Sequence, residues 1–136
     1  MKRLLITGAA GNLGRMTRAR LGFLAETLRL SDLAEMAPAG VNEEVVQCDL
    51  ADFAAVRSLV ADCDGIVHLG GISVEDTFQN ILNGNLIGLY NIYEASRQAG
   101  VKRLMFASSN HAIGFHTRET MLDAVKAVGT DRRIGV

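Results

Sequence analysis

The sequence predicts an α/β fold built on a parallel sheet. Two observations carry that expectation. Short apolar strands alternate with amphipathic helices from the first residues onward, and a glycine-rich turn joins the first strand to the first helix. Residues 2–7 form a short apolar strand. The glycine-rich turn leads into a helix over 11–25, and residues 27–31 make the second strand. Residues 34–44 read as a loop that carries the single proline, Pro38, before a third strand over 45–48. Phe53, Val56, Leu59 and Val60 fall at helical spacing within 51–61. A fourth strand follows over 65–70. Residues 85–99 form a strong helix with Leu86, Leu89, Tyr90, Ile92 and Tyr93 on its apolar side and Gly100 as the stop. Residues 104–108 are the fifth strand. Residues 117–136 have weak periodicity and read as an irregular tail on a single domain over 1–116.

Parallel strands joined by helices require right-handed crossovers, so five of them make a doubly wound sheet. Ligands of such sheets bind at the carboxyl ends of the strands, beside the first one. Composition narrows the ligand. The chain has 136 residues, 49 % of them hydrophobic, which suits one compact domain. Its 14 basic and 15 acidic residues leave a net charge of −1, so no strong field draws nucleic acid or an anionic membrane. The early apolar run, residues 4–6, is too short for a signal peptide or a membrane span, and a cytoplasmic location is the default expectation. Cys48 and Cys63 form no C-x-x-C pair and are expected as small buried residues. The three histidines lack ligand spacing, and no metal site is expected.

Residues with chemistry to offer gather where the fold would place a ligand. The first strand runs into Thr7-Gly8-Ala9-Ala10-Gly11-Asn12-Leu13-Gly14. Gly8 suits the tight turn, Gly11 a close backbone approach to pyrophosphate, and Gly14 the packing of helix on sheet. The helix N-terminus behind them offers free N–H groups and partial positive charge to phosphates. A structural turn is the alternative, but the position between strand and helix favours a Rossmann-type dinucleotide site. Asp32 closes the second strand, 18 residues after Gly14. A carboxylate there accepts from ribose hydroxyls and repels a 2′-phosphate, so NAD is favoured over NADP. Asp49-Leu50 follows the third strand, where the acid either accepts from an adenine amino group or caps the next helix. Leu69-Gly70-Gly71-Ile72-Ser73 follows the fourth, with small residues that let a cofactor lie across the sheet. His68, just before, is expected in packing. Asn85 opens the long helix, as a cap or toward a ligand. Ser108-Ser109-Asn110-His111 ends the fifth strand, either as a polar turn or as a group of hydrogen-bond donors for a substrate oxygen.

Taken together, TGAAGNLG, CDLAD, HLGG and GNLIGLYNIYEASRQAGVKRLMFASS resemble the extended short-chain dehydrogenase/reductase superfamily, the NAD-dependent epimerase/dehydratase family. Within it, VQCDLAD, CDGIVHLGGISVE and FASSNHAIGF resemble the uronate dehydrogenase branch. The resemblance covers residues 1–115. It implies an oxidoreductase that converts a uronic acid such as galacturonate or glucuronate to an aldarolactone while reducing NAD. It implies that Gly8, Gly11, Asn12, Leu13 and Gly14 hold the pyrophosphate, Asp32 the ribose, and Asp49 with Leu50 the adenine. Leu69, Gly70, Gly71, Ile72 and Ser73 would line the cofactor channel. Ser73, Ser109, Asn110 and His111 would contact the sugar acid, with Ser109 as the catalytic serine. Pairing of copies through the 85–99 helix is implied as well, giving a homo-oligomer.

The family's Y-x-x-x-K pair is absent, and Ile134 aligns with the tyrosine position. The expectation is therefore a Rossmann-type doubly wound sheet truncated on its C-terminal side, with little or no turnover of its own, since loss of a general base costs roughly 10²–10⁴-fold. Two other readings stand beside it: a non-catalytic NAD-binding module, and a fragment of a nucleotide-sugar epimerase or dehydratase.

Overall fold

The computed structural model describes residues 1–109 together with residues 117, 119 and 120. It contains a five-stranded sheet in the order β3-β2-β1-β4-β5: β1 (Arg3–Thr7), β2 (Thr27–Asp32), β3 (Glu43–Gln47), β4 (Gly65–His68) and β5 (Arg103–Phe106). Every neighbouring pair is parallel, as the intervening helices require. The chain first steps outward from β1 through β2 to β3, then returns to the other side of β1 for β4 and β5. The reversal puts the switch point between β1 and β4.

Alternation along β1 sends side chains to two cores. Leu5 faces one with Val56, Leu59 and Val60 of α2 (Phe53–Val60) and Ile92 and Ala95 of α4 (Gly88–Ala99). Leu4 and Ile6 face the other, beside Leu28, Leu30 and Val67, on the side where α1 (Asn12–Leu21) lies. Cys48 and Cys63 are both buried as free thiols, and burial pushes both upward in pKa.

Several boundaries move from their expected places, each for a local reason. The first helix ends at Leu21 and gives way to a 3-10 turn over Gly22–Leu24. β3 starts two residues early because its glutamates are paired. Glu43 accepts from Arg18 at 3.0 and 2.6 Å, and Glu44 accepts from Arg29 at 2.7 Å and Arg3 at 3.0 Å. Those arginines hold both carboxyls below their usual range. α2 starts at Phe53 because Asp52 caps it, with the carboxylate accepting from the N–H groups of Ala54 and Ala55. β4 stops at His68 because the Gly70 N–H turns away to the Thr7 hydroxyl. β5 is shifted one residue toward the N-terminus and ends at Phe106, short of Ser108.

The long helix differs most. It begins at Phe78 with α3 (Phe78–Ile81), widens into a π-helical stretch over Leu82–Ile87, and continues as α4 to Ala99. Asn85 is therefore inside a helical segment and caps nothing. Gly100, at φ +70°, ends α4 as expected. The buried face is Gly88, Asn91, Ile92, Ala95 and Ser96, while Leu86, Tyr90 and Tyr93 are exposed. The apolar side expected from spacing is thus split, and its aromatic part faces outward.

Candidate functional site at the carboxyl edge of the sheet

Register places the ends of all five strands on one edge. Thr7 lies opposite Ser31 and His68, Asp32 opposite Gln47, and His68 opposite Phe106. Asp32, the 49–52 segment, the 69–73 segment and Ser109 all follow those ends. The expected site residues within the described part therefore share one edge. Asn110, His111 and Ile134 lie outside the described residues.

The β1–α1 turn needs two of its glycines for different reasons. Gly8 has φ +69°, and a Cβ there would sit 2.6 Å from the Leu69 carbonyl carbon. The turn and the 69–70 backbone can approach only without that atom. A Cβ at Gly14 would fall on the Gly8 carbonyl oxygen and 2.5 Å from Ala9 Cα, so the helix could not begin so close to the strand. Gly11 occupies the N-cap of α1 in ordinary extended backbone, at φ −71° and ψ 170°. It carries no side chain to cap the helix, and the first turn holds no acid. Gly11, Asn12 and Leu13 are exposed there. The first turn thus presents uncapped N–H groups at the positive end of the helix dipole, an arrangement suited to an anion.

Asp32 stands beside that turn. One carboxylate oxygen accepts from the Ala10 N–H at 2.9 Å and the other from the Ala34 N–H at 3.0 Å. These bonds fix the carboxylate's direction, and each oxygen retains a second lone pair for a hydroxyl partner. Asp49 is exposed at the next strand end. Its Oδ1 accepts from the Ala51 N–H at 2.9 Å, closing a tight turn, and the helix cap falls to Asp52. Of the two alternatives for Asp49, capping is therefore excluded. Leu50 is half-buried and directed at Gly70, where a Cβ would come within 2.9 Å of Leu50 Cδ1.

The 69–73 segment is held from below and from the side. Gly70 N–H donates to Thr7 Oγ1 at 3.2 Å, and that hydroxyl lies 2.6 Å from His68 Nδ1. The hydroxyl has a lone pair for Gly70 and shares one proton with Nδ1, in the direction the ring's tautomer sets. His68 is buried, stacked on Phe106 at 5.6 Å, and desolvation pushes its pKa down to about 4. It is a neutral packing residue, as expected, and also one end of a relay. From the side, Asn85 grips Ile72 by both backbone groups. Its Oδ1 accepts from the Ile72 N–H at 2.6 Å and its Nδ2 donates to the Ile72 carbonyl at 2.9 Å. The wide π turn places this asparagine, a use that such turns commonly have at functional sites.

Sequence reasoning missed two contributors. Sequence alone gives Thr7 no role beyond the start of the glycine-rich run, and Asn91 none beyond membership of the long helix. A polar residue on an otherwise apolar buried face was the available signal for Asn91. Among the described residues, no three His, Cys, Asp or Glu side chains come together as metal ligands, and no helix is long and apolar enough to cross a membrane.

Relatives share both the sequence and this architecture. The chain is 56 % identical over 123 residues to uronate dehydrogenase of Pseudomonas putida and 64 % identical over 122 residues to that of Agrobacterium fabrum. Each match covers 90 % of this chain and 46 % of the relative, so the chain spans about half the length of these enzymes. A solved structure of an Agrobacterium tumefaciens uronate dehydrogenase variant complexed with NAD superposes with a TM-score of 0.80 at 68 % identity, over 82 % of this chain and 42 % of that one. Glucuronic acid dehydrogenase from Chromohalobacter salexigens gives 0.82 at 55 % identity, over 87 % and 44 %. The family of NAD dependent epimerases and dehydratases matches residues 4–128, a span that includes the β1–α1 turn, Asp32 and every loop at the carboxyl edge. With its parallel sheet and glycine turn, the chain belongs to the NAD dependent epimerase/dehydratase family.

Proposed function

We propose that this chain is the cofactor-holding part of an NAD-dependent oxidoreductase acting on a uronic acid. The uncapped N-terminus of α1, with Asp32 fixed beside it, is the observation that carries this reading. The residues present fit a dinucleotide. The backbone at Gly8, Gly11, Asn12, Leu13 and Gly14 would receive the pyrophosphate. The lone pairs of Asp32 would accept from the adenosine ribose, and Asp49 with Leu50 would meet the adenine. Leu69 to Ser73 would line the remainder. Once bound, NAD would supply a nicotinamide able to accept a hydride.

The protein's own part is binding, orientation and hydrogen bonding. Asp32 disfavours a cofactor with a 2′-phosphate through like charge. Thr7 and Asn85 hold the 69–73 backbone in place from two sides. Ser109, with Ser73, Asn110 and His111, would hydrogen-bond the sugar acid. Neither tyrosine, Tyr90 nor Tyr93, follows Ser109; both lie on α4. The 136-residue chain is expected to bind NADH yet yield no NADH from NAD with galacturonate or glucuronate. The exposed Leu86, Tyr90 and Tyr93 support pairing of copies through this helix.

Titration of NADH fluorescence against the chain tests the reading. Saturable binding of NADH is expected, weaker binding of NADPH, and a narrowed difference in Asp32→Ala. Equal or tighter binding of NADPH by the unmutated chain would overturn the assignment.

A further inference from the structure

One buried polar side chain lies away from every expected ligand contact and still reaches the site. Asn91, 5 % exposed, sits in the middle of α4, and its Nδ2 donates to the carbonyls of Leu50 at 2.8 Å and Ala51 at 3.2 Å. Both carbonyls belong to the short link between β3 and α2, outside any ladder, so they need an outside partner. One helical turn earlier on the same face is Gly88, where a Cβ would come within 2.9 Å of Leu50 Cβ. Glycine lets the helix reach the link, and asparagine then ties it down.

The tie has a direction. The peptide that presents the Ala51 N–H is the one whose oxygen, on Leu50, Asn91 holds. That N–H donates to Asp49 Oδ1 at 2.9 Å. Asn91 thus fixes the peptide that in turn fixes the Asp49 carboxylate, and leaves its other oxygen facing outward. Leu50 is set by the same contacts, between Gly88 and Gly70.

We infer that Asn91 is a positioning residue for the adenine end of the site, aiming Asp49 and Leu50 without touching the ligand. The inference rests on the dinucleotide reading above. Asn91→Ala removes both donors, and Asn91→Asp sets a carboxylate against two carbonyls in nearly the same volume. Gly88→Ala keeps the donors but displaces Leu50.

The test separates the two ends of the ligand, using the full chain and two probes, adenosine diphosphate and nicotinamide mononucleotide. In Asn91→Ala the Kd for adenosine diphosphate should rise about tenfold, the scale of one buried hydrogen-bonding group, while that for nicotinamide mononucleotide stays within about twofold. Asn91→Asp should be worse on the first probe. Hydrogen exchange at the Ala51 and Asp52 amides should rise without any ligand present. If Asn91→Ala does not fold, Gly88→Ala should give the same selective loss. A folded variant with a lowered melting temperature but unchanged affinity for adenosine diphosphate would reduce Asn91 to a structural role and overturn the inference. If the unmutated chain binds neither probe, the dinucleotide reading fails. The exchange measurement then stands alone, and unchanged exchange at Ala51 and Asp52 would overturn the bracing itself.

Discussion

Two strand-to-helix junctions at the same edge of the sheet solve the same problem in opposite ways. Every helix begins with N–H groups that lack intrahelical partners. At the start of α2 the chain supplies its own acceptor, the Asp52 carboxylate, which takes the N–H groups of Ala54 and Ala55. At the start of α1 it supplies none: Gly11 is the N-cap and no acid follows in the first turn. The β3–α2 junction is self-sufficient. The β1–α1 junction leaves its donors available and is instead stiffened from behind, by Gly8 against Leu69 and by Gly14 against the turn. The α2 start is closed by its own side chain, and the α1 start is left open for the phosphates of the proposed cofactor.

The largest effect should come from filling the space that the open junction requires to be empty. A methyl at Gly14 has backbone on all its near sides, the Gly8 oxygen and Ala9, and none of it can rotate away. Gly14→Ala should cost roughly 3 kcal/mol or more and lower the denaturation midpoint sharply. An alanine variant as stable as the parent would mean that the turn is looser than its geometry implies.

Acid should come next, and its first action should fall on the support of the open junction. His68 supports that junction through Thr7 and Gly70. Its folded pKa, about 4, lies below the ordinary 6.5. Between those values the unfolded chain takes a proton that the folded chain refuses. The contribution is therefore complete above pH 6.5 and is lost as pH falls to 4, by about 3 kcal/mol in all. Glu43 and Glu44, depressed by their arginines, add their losses only from their ordinary value of 4.5 downward. Denaturant midpoints at pH 7.5 and 5 should thus differ in the parent and converge in His68→Gln.

The contrast also separates what was legible in the sequence from what was not. The open junction announces itself, because the constraint falls on residue type: only glycine fits at Gly8 and Gly14, and spacing alone reveals them. Asp32 is legible for the same reason, as an acid at a strand end. The parallel, doubly wound sheet follows from alternation of strands and helices. Element boundaries do not follow so well. Glu43 and Glu44 look like loop residues until Arg18, Arg29 and Arg3 are brought to them from other elements. Asn85 looks like a cap because a π-helical stretch has no sequence signature of its own. Thr7 and Asn91 stay hidden because their partners, Gly70 and the 50–51 backbone, are distant in the chain and defined only by the fold.

Closing the open junction deliberately tests what its openness is for. Gly11 has an extended backbone that aspartate adopts freely, and a Cβ there would meet only the Gly8 oxygen, at 3.3 Å. Gly11→Asp should therefore fold, with a carboxylate on the α1 amides as Asp52 sits on those of α2. It should be at least as stable as the parent and bind NADH about tenfold or more weakly, because a fixed anion occupies the place of the phosphates. Unchanged NADH affinity in a stable Gly11→Asp chain would remove the anion role from this helix.

The converse change, opening the closed junction, should have the smallest effect. Asp52→Ala leaves the Ala54 and Ala55 N–H groups to water, which reaches them because Asp52 and Ala54 are exposed. The loss should be about 1 kcal/mol, the usual size for an N-cap, read as a lowered denaturant midpoint at unchanged slope. Cofactor affinity should not follow. The link that carries Asp49 is tied from the other side by Asn91, whose two bonds end on Leu50 and Ala51, before the cap. Opening α2 therefore frays a helix end without releasing the site. Should Asp52→Ala weaken NADH binding as strongly as Gly11→Asp does, the two junctions would be one mechanical unit, and the division between a closed structural start and an open binding start would fail.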